Sequence, residues 1–377
     1  MNANGGRGLR GGLLLAFALI LAIAGTAAPA HAFVYWANAG TSASGTTISR
    51  ANLDGSGVSA SFIGGADGPV GVEVNGTHLF WSDAVSPSCS GTTISRANLD
   101  GTGANPSFIS GVNCAHEIAL DSSFIYWANR GPNGTGTTIG RASLDGSAPN
   151  NSFIAGGDGP WGVAVTPTHI YWTNRDQTSG SSCGGSIGRA NLDGSAANQS
   201  FITGVNGPTG IAVNGTHVFW SNGCGTSIGR ANLDGSAVNQ NFITGAFQPA
   251  GVAVDASSVY WANFANSTAT GGGTTIGRAN LDGSGASQSF IDGASSPTGI
   301  AVDGLPVTPP PVDNGACERA RDKLAKAKAK LKTAKEKLKE LKQQNAAQPK
   351  IEKAKKKVKK AKKKVKKAKA ARQEACS

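Results

Sequence analysis

A closed ring of six four-stranded antiparallel sheets, followed by two antiparallel helices, is the fold class that three features of the sequence predict. An aromatic pair ending in tryptophan occurs six times, at Tyr35-Trp36, Phe80-Trp81, Tyr126-Trp127, Tyr171-Trp172, Phe219-Trp220 and Tyr260-Trp261, at intervals of 45, 46, 45, 48 and 41 residues. Each pair is followed by the phrase R-A-x-L-D-G, beginning at Arg50, Arg96, Arg141, Arg189, Arg230 and Arg278. After the last copy the chain turns lysine-rich, with a branched residue at every seventh position.

From the N-terminus, residues 1–32 read as a secretory signal. Arg7 and Arg10 precede an apolar stretch from Leu13 to Ala24, and Ala30-His31-Ala32 supplies a small-x-small cleavage site. The mature chain is expected to begin near Phe33, outside the cytoplasm. No other apolar run approaches the ~20 residues needed to span a bilayer.

Residues 33–304 hold the repeats. Each repeat offers four short strands: an inner G-[IV]-A-V strand, a second strand carrying the aromatic pair, a third containing T/S-I-x-R-A, and an outer S-F-I or N-F-I strand. Asp-Gly between the third and outer strands is a strong hairpin signal. A period of 40–45 residues with four strands per repeat predicts a six-bladed β-propeller. One such sheet cannot bury both of its faces, whereas a ring of sheets can. The chain enters the repeats at a second strand, Phe33–Asn38, and leaves them at an inner strand, Thr298–Gly304. The last strand is therefore expected to complete the first blade and close the ring.

These residues resemble the YWTD, or LDL-receptor class B, repeat. The resemblance covers Phe33–Gly304 and is carried by Tyr171-Trp172-Thr173-Asn174 and the I-x-R-A-N-L-D-G runs. It implies six blades and an extracellular scaffold with a binding surface rather than a catalyst. The sequence departs from the pattern at the fourth letter, which is Asn at Asn38, Asn129, Asn174, Asn222 and Asn263 and Asp only at Asp83.

Residues present six times are read as architecture. The Trp and Tyr rings are expected to pack between blades. The six arginines are expected to pair with a nearby carboxylate, such as the Asp of L-D-G, or to stack on a Trp. His78, His169 and His217 share one turn position and should be spread around the ring. The D-x-D-x-D-G spacing of a calcium loop is absent; neither a metal site nor a cofactor is expected.

Residues that break the repeat are the informative ones. Five copies open the inner strand with [S/G/Q]-P-x-G, but the third reads Cys114-Ala115-His116-Glu117. His116 takes the variable position, filled elsewhere by Val70, Trp161, Thr209, Ala250 and Thr298. Glu117 replaces Gly, and Glu73 replaces the small Ala of its strand. The start of the innermost strand lies at the channel mouth. His116, Glu117 and Trp161 are therefore the candidate ligand patch, with Glu73 near it and Arg130 and Arg175 following second strands on the same face.

Six cysteines in an oxidising compartment imply disulfides. In an up-down blade, the loops after the second and outer strands share one face. Cys89 is thereby matched with Cys114, and Cys183 with Cys224. Residues 305–316 form a Pro-rich linker. In residues 317–377, Leu324, Leu331 and Leu338 interleave with Ala327 and Ala334, and Ile351, Val358 and Val365 with Ala354 and Ala361. This predicts an antiparallel helical hairpin whose arms bring Cys317 and Cys376 together. Charge divides at the linker: residues 33–316 carry eight Arg, no Lys and seventeen acids, net −9, whereas residues 317–377 carry twenty-two Lys, three Arg and six acids, net +19.

The expected function is a secreted or cell-surface binding protein. Its channel mouth would face a protein or glycan ligand. Its basic hairpin would act as an anchor to an anionic cell-wall or extracellular polymer, or as a solubilising spacer. No aromatic residue interleaves the lysines, so no specific nucleic-acid site is expected. The alternative is a propeller enzyme, a lyase or lactone hydrolase. It is suggested by inner strands similar to those of virginiamycin B lyase, which uses His and Glu. Adjacent His and Glu on a strand point to opposite faces, which weighs against an acid–base pair.

Overall fold

A computed structural model describes residues 32–39, 45–84, 91–175, 183–265, 272–303, 314–344 and 347–375. Residues 1–31, which cover nearly all of the expected signal segment, lie outside them. Residues 32–303 form six four-stranded antiparallel sheets arranged as a six-bladed propeller. Five blades follow the chain in order, with inner strands Pro69–Val74, Ala115–Leu120, Pro160–Val165, Pro208–Val213 and Pro249–Val254. We number these blades two to six.

The first blade is built from both ends of the repeat region. Its inner strand is Pro297–Val302, paired antiparallel with Phe33–Asn38 in the register Val34–Val302, Tyr35–Ala301 and Trp36–Ile300. The join is bonded along its length. Asp303 N–H donates to the Phe33 carbonyl at 3.0 Å, the Tyr35 hydroxyl donates to Asp303 at 3.1 Å, and Ser295 N–H donates to Asn38 Oδ1 at 3.1 Å. The circular closure expected from the strand count is therefore present.

Burial follows the repeat. The paired Trp, Tyr and Phe rings are almost wholly enclosed, and each apolar cluster spans two blades. Tyr126, Ala128 and Ile139 of blade three pack with Val163, Ile170 and Trp172 of blade four. Val34 and Trp36 of blade one pack with Tyr260 and Ile276 of blade six, which seals the ring.

In five blades the fourth-letter asparagine ties the strands together. Asn129 accepts from Trp127 Nε1 at 2.8 Å and from Asn113 N–H at 3.3 Å. It donates to Thr138 Oγ1 and to the Asn151 carbonyl of the outer strand. One side chain thus bonds strand two, strand three, strand four and the entering loop. At the L-D-G turn the glycine lies in the left-handed region (Gly55, φ 85°), which an L side chain rarely adopts.

The repeated arginines do not stack on Trp. Arg50, Arg96, Arg189 and Arg230 lie over Phe62, Phe108, Phe201 and Phe242 of the outer strand, 3.9–4.2 Å from the ring centroids. Arg50, Arg189 and Arg230 also donate to the Leu carbonyl of the next blade's turn. The physical reason is that the indoles are sealed between blades, which leaves the outer-strand Phe as the accessible ring. The turn aspartates serve their own loops: Asp54 accepts from Ser56 N–H and Oγ at 2.9 and 2.6 Å.

The Cys183–Cys224 disulfide is present, with Cα atoms 5.5 Å apart. Cys114 is also disulfide-bonded. Cys89, its expected partner, lies outside the described residues. So does Cys376, and with it the expected Cys317–Cys376 bond.

Two helices end the chain, α1 (Asn314–Gln343) and α2 (Gln348–Ala375). They pack against each other as a hairpin. Leu324, Ala354 and Val358 are buried, and Ala327, Leu331, Ala334, Leu338, Ile351, Ala361 and Val365 are half-buried, while their lysine neighbours are exposed. The seam is the predicted heptad. Each arm is roughly 42–45 Å long at 1.5 Å per residue. Among the described residues, no helix is long and apolar enough to cross a membrane.

Candidate functional site

The inner strands run side by side around the channel. In five blades the glycine after the variable position meets the next strand's backbone closely. A Cβ on Gly251 would lie 2.5 Å from the Thr298 carbonyl oxygen, and one on Gly299 2.3 Å from that of Val70. Glycine is there because the ring is too tight for a side chain. Blade three breaks this rule with Glu117, only 8 % exposed. Its side chain passes Gly162, where an added Cβ would lie 3.0 Å from Glu117 Oε2. It reaches Ile211 of blade five, whose N–H donates to the same oxygen at 3.4 Å.

Glu117 and Glu73 line one cavity of about 150 Å³ in the channel, walled by the later halves of the six inner strands. Burial raises Glu73 to about 7. Burial, with a smaller contribution from the Glu73 charge, raises Glu117 to about 8 against the opposing Ile211 hydrogen bond. Near neutral pH Glu117 is mostly a protonated acid.

At the start of the inner strands the neighbouring side chain, His116, takes a different course. It is 8 % exposed, and its ring meets the Trp161 indole of blade four at 4.2 Å between centroids. Arg130 lies over the same indole at 4.4 Å and Arg175 at 4.9 Å. Burial, then the charges of Arg130 and Arg175, push His116 well below the ordinary imidazole value, so the ring is neutral at physiological pH. His116 Nδ1 and Arg130 Nε are buried without a hydrogen-bond partner. Arg175 Nη2 is 3.6 Å from Cys224 Sγ, so the disulfide joining the loops of blades four and five sits beside it.

The six residues singled out from the sequence thus fall into two groups. His116, Trp161, Arg130 and Arg175 come together at the mouth. Glu117 and Glu73 come together inside the channel. Strand alternation sends adjacent His116 and Glu117 apart. Ile211 is the contributor that sequence reasoning missed. It takes part through a backbone N–H, which carries no residue signature. His78, His169 and His217 remain at separate turns, each against its preceding Thr hydroxyl at 2.7–2.8 Å. Among the described residues, no three His, Cys, Asp or Glu side chains are grouped to hold a metal ion.

No family model matches this chain, and no curated protein matches it. Solved structures do. A chain of a nidogen/laminin complex superposes with a TM-score of 0.55 at 17% identity, covering 72% of this chain and 98% of that one. A PQQ-bound aldose sugar dehydrogenase from Streptomyces coelicolor gives 0.42 at 17% identity, covering 62% and 80%. A streptogramin B lyase gives 0.39 at 16% identity, covering 64% and 70%. At 17% identity the nidogen/laminin likeness supports the propeller fold and says nothing about ligand or reaction.

Proposed function

We propose that this is a secreted or cell-surface binding protein of YWTD-like architecture, which presents its channel mouth to a ligand and uses its basic hairpin as an anchor on an anionic cell-envelope polymer. The observation that carries the reading is the gathering of repeat-breaking side chains. Four side chains outside the repeated pattern, His116, Trp161, Arg130 and Arg175, converge at one end of the channel. The repeated residues are consumed by blade packing, so a site must come from the exceptions. A disulfide supports an oxidising compartment. The hairpin exposes its lysines on the outside of an apolar seam, where many can meet a polyanion together.

The experiment is an array of glycans and cell-wall polymers, probed with the mature chain and its variants. His116→Ala and Trp161→Ala should abolish a propeller-borne signal and leave the melting temperature within a few degrees, whereas His169→Ala should do neither. A signal surviving both mouth substitutions overturns the reading.

One observation favours the second reading, a propeller lyase or lactone hydrolase. Glu117 is a buried carboxyl raised to about 8 beside a cavity, which is the kind of perturbation that catalytic acids show. Turnover of lactones, or of substrates cleaved by elimination, that is lost in Glu117→Gln would decide for it.

A further inference from the structure

We propose that the channel interior is a cation site, in which the carboxyls of Glu117 and Glu73 hold one divalent ion whose remaining ligands are backbone carbonyls and water. The proposal concerns the interior of the channel and stands apart from the reading of the mouth as a ligand face.

Both carboxyls occupy positions that the repeat reserves for small residues. Where blade three has Glu117 the other five blades have glycine, and where blade two has Glu73 the other five have alanine. The two positions are two residues apart along the inner strand, so they share one of its faces. That face meets the next inner strand: a Cβ on Gly71 would lie 2.3 Å from the His116 carbonyl oxygen. A glutamate has no room there, and both of these side chains line the channel cavity instead. Two adjacent blades thus send one carboxyl each into the same space.

The cavity leaves these carboxyls short of partners. Glu117 is 8 % exposed, and among the described residues its carboxyl accepts one hydrogen bond, from Ile211 N–H to Oε2. Its Oε1 faces the cavity with no hydrogen-bond donor among the described residues. Glu73 has the N–H of its own neighbour, Val74. Neither carboxyl has an ion-pair partner among the described residues. Burial is the main cause that raises both. A proton therefore takes the place of a cation near neutral pH, and an ion carrying two charges can displace it.

The volume and the rest of the wall suit a hard ion. The cavity of about 150 Å³ is several times the ~30 Å³ share of one water in the liquid. Each inner strand is the end strand of its sheet, so one of its edges is unpaired and turns N–H and C=O groups to the channel. Two carboxylates, carbonyls and water make an all-oxygen set, the kind that Ca²⁺ and Mg²⁺ take. Glu73 keeps partial exposure, which leaves an ion a way in. The ligands come from two blades and from backbone, so no metal-loop spacing marks them in the sequence.

The test titrates calcium chloride and magnesium chloride calorimetrically into the chelator-washed mature full-length chain at constant ionic strength. Titrations are run at pH 6.5 and pH 8.5, each in two buffers of different ionisation heat, which counts the protons released. The expected result is one saturable equivalent per chain for at least one of the two ions. Affinity should be about tenfold or more higher at pH 8.5, and protons should be released at pH 6.5, because both carboxyls must ionise to bind. An ion held by the exposed turn aspartates would release none, since hydrogen bonds from the following Ser or Thr keep carboxyls such as Asp234 and Asp100 below their ordinary value. Glu117→Gly and Glu73→Ala restore the residues that five blades already carry, so the fold tolerates them, and each should weaken binding about tenfold or more. Asp234→Asn should leave it unchanged. Absence of saturable binding at both pH values, binding without proton release, or binding kept in both glutamate variants overturns the proposal. None of these results bears on the mouth, which the polymer array tests separately.

Discussion

Asp83 stands where the other five blades carry asparagine, and it does the asparagine's work imperfectly. It accepts from Ser95 and Thr93, but its Oδ1 and the nearby Trp81 Nε1 have no hydrogen-bond partner. Burial raises it to about 6 against those hydrogen bonds. A carboxyl raised in the folded state stabilises the fold fully below its unfolded value near 4, and that contribution is lost as pH rises through about 6. The loss amounts to about 3 kcal/mol at 1.36 kcal/mol per pKa unit. Asp83→Asn should therefore raise stability by about 1–3 kcal/mol at pH 7.5 and by little at pH 4. Denaturant melts at the two pH values check this, and an equal gain at both would remove the ionisation from the explanation. Glu73 and Glu117, raised to about 7 and about 8, act with the same sign. His116, held well below its ordinary value of 6.5, acts with the opposite sign up to that pH, so the wild-type fall in stability should be seen between about pH 6.5 and pH 8. In Glu117→Gln the portion of that fall around pH 8 should disappear.

Within a blade, the third and outer strands are matched to each other. Gly140, Gly188, Gly229 and Gly277 lie flat against a Trp, and a Cβ there would come within 2.1–2.2 Å of the indole Cε2. In blades one and two the same position is Ser49 and Ser95, which bond the fourth-letter side chain. The outer strand compensates. Gln199, Gln240 and Gln288 accept the indole N–H in three of the glycine blades, while the serine blades carry Ala60 and Pro106. Gln199 and Gln288 also donate to the preceding blade's outer strand, at Ala155 and Thr244. Gly229→Ala should cost about 1–3 kcal/mol through overpacking against Trp220, seen as a lower melting temperature. A neutral effect would mean that the indole can shift.

The closing strand is an element-scale test as well. Deleting residues 298–304 should remove the inner strand of blade one and expose an edge at Phe33–Asn38, giving aggregation and loss of soluble protein. Ending the chain after residue 314 removes no blade strand and should leave the propeller folded. Equal melting temperatures for the two truncations would contradict circular closure.

At the scale of the molecule, residues 33–316, of net −9, are joined to a hairpin of net +19. Lysines on a helical rod displace counterions when they meet a polyanion, so binding should fall steeply with salt. The full chain should be retained on a heparin-like matrix at low salt and released at high salt, while residues 33–304 pass through. Retention that ignores salt, or that follows the propeller, would leave the hairpin as a spacer. Reduction of Cys183–Cys224 should lower propeller stability by about 2–4 kcal/mol. It should also loosen Arg175, which the bridge abuts.

What the sequence determined by itself was everything set by repetition and period. Six copies of four strands, the circular join, the sealed aromatic pairs, the Cys183–Cys224 bridge and the heptad seam all follow from spacing, because strand, turn and heptad physics act over neighbouring residues. The exceptions were legible as exceptions: Glu117 among glycines, Trp161 outside the pairs, Asp83 among asparagines. Their partners were not. That Arg130 and Arg175 meet on Trp161, that Glu117 reaches past Gly162 to the Ile211 N–H, and that the repeated arginines choose Phe over Trp depend on how one blade's side chains meet the next across the ring. Those contacts join residues from 12 to 94 positions apart. The curvature of the closed ring sets them, and no local spacing encodes it.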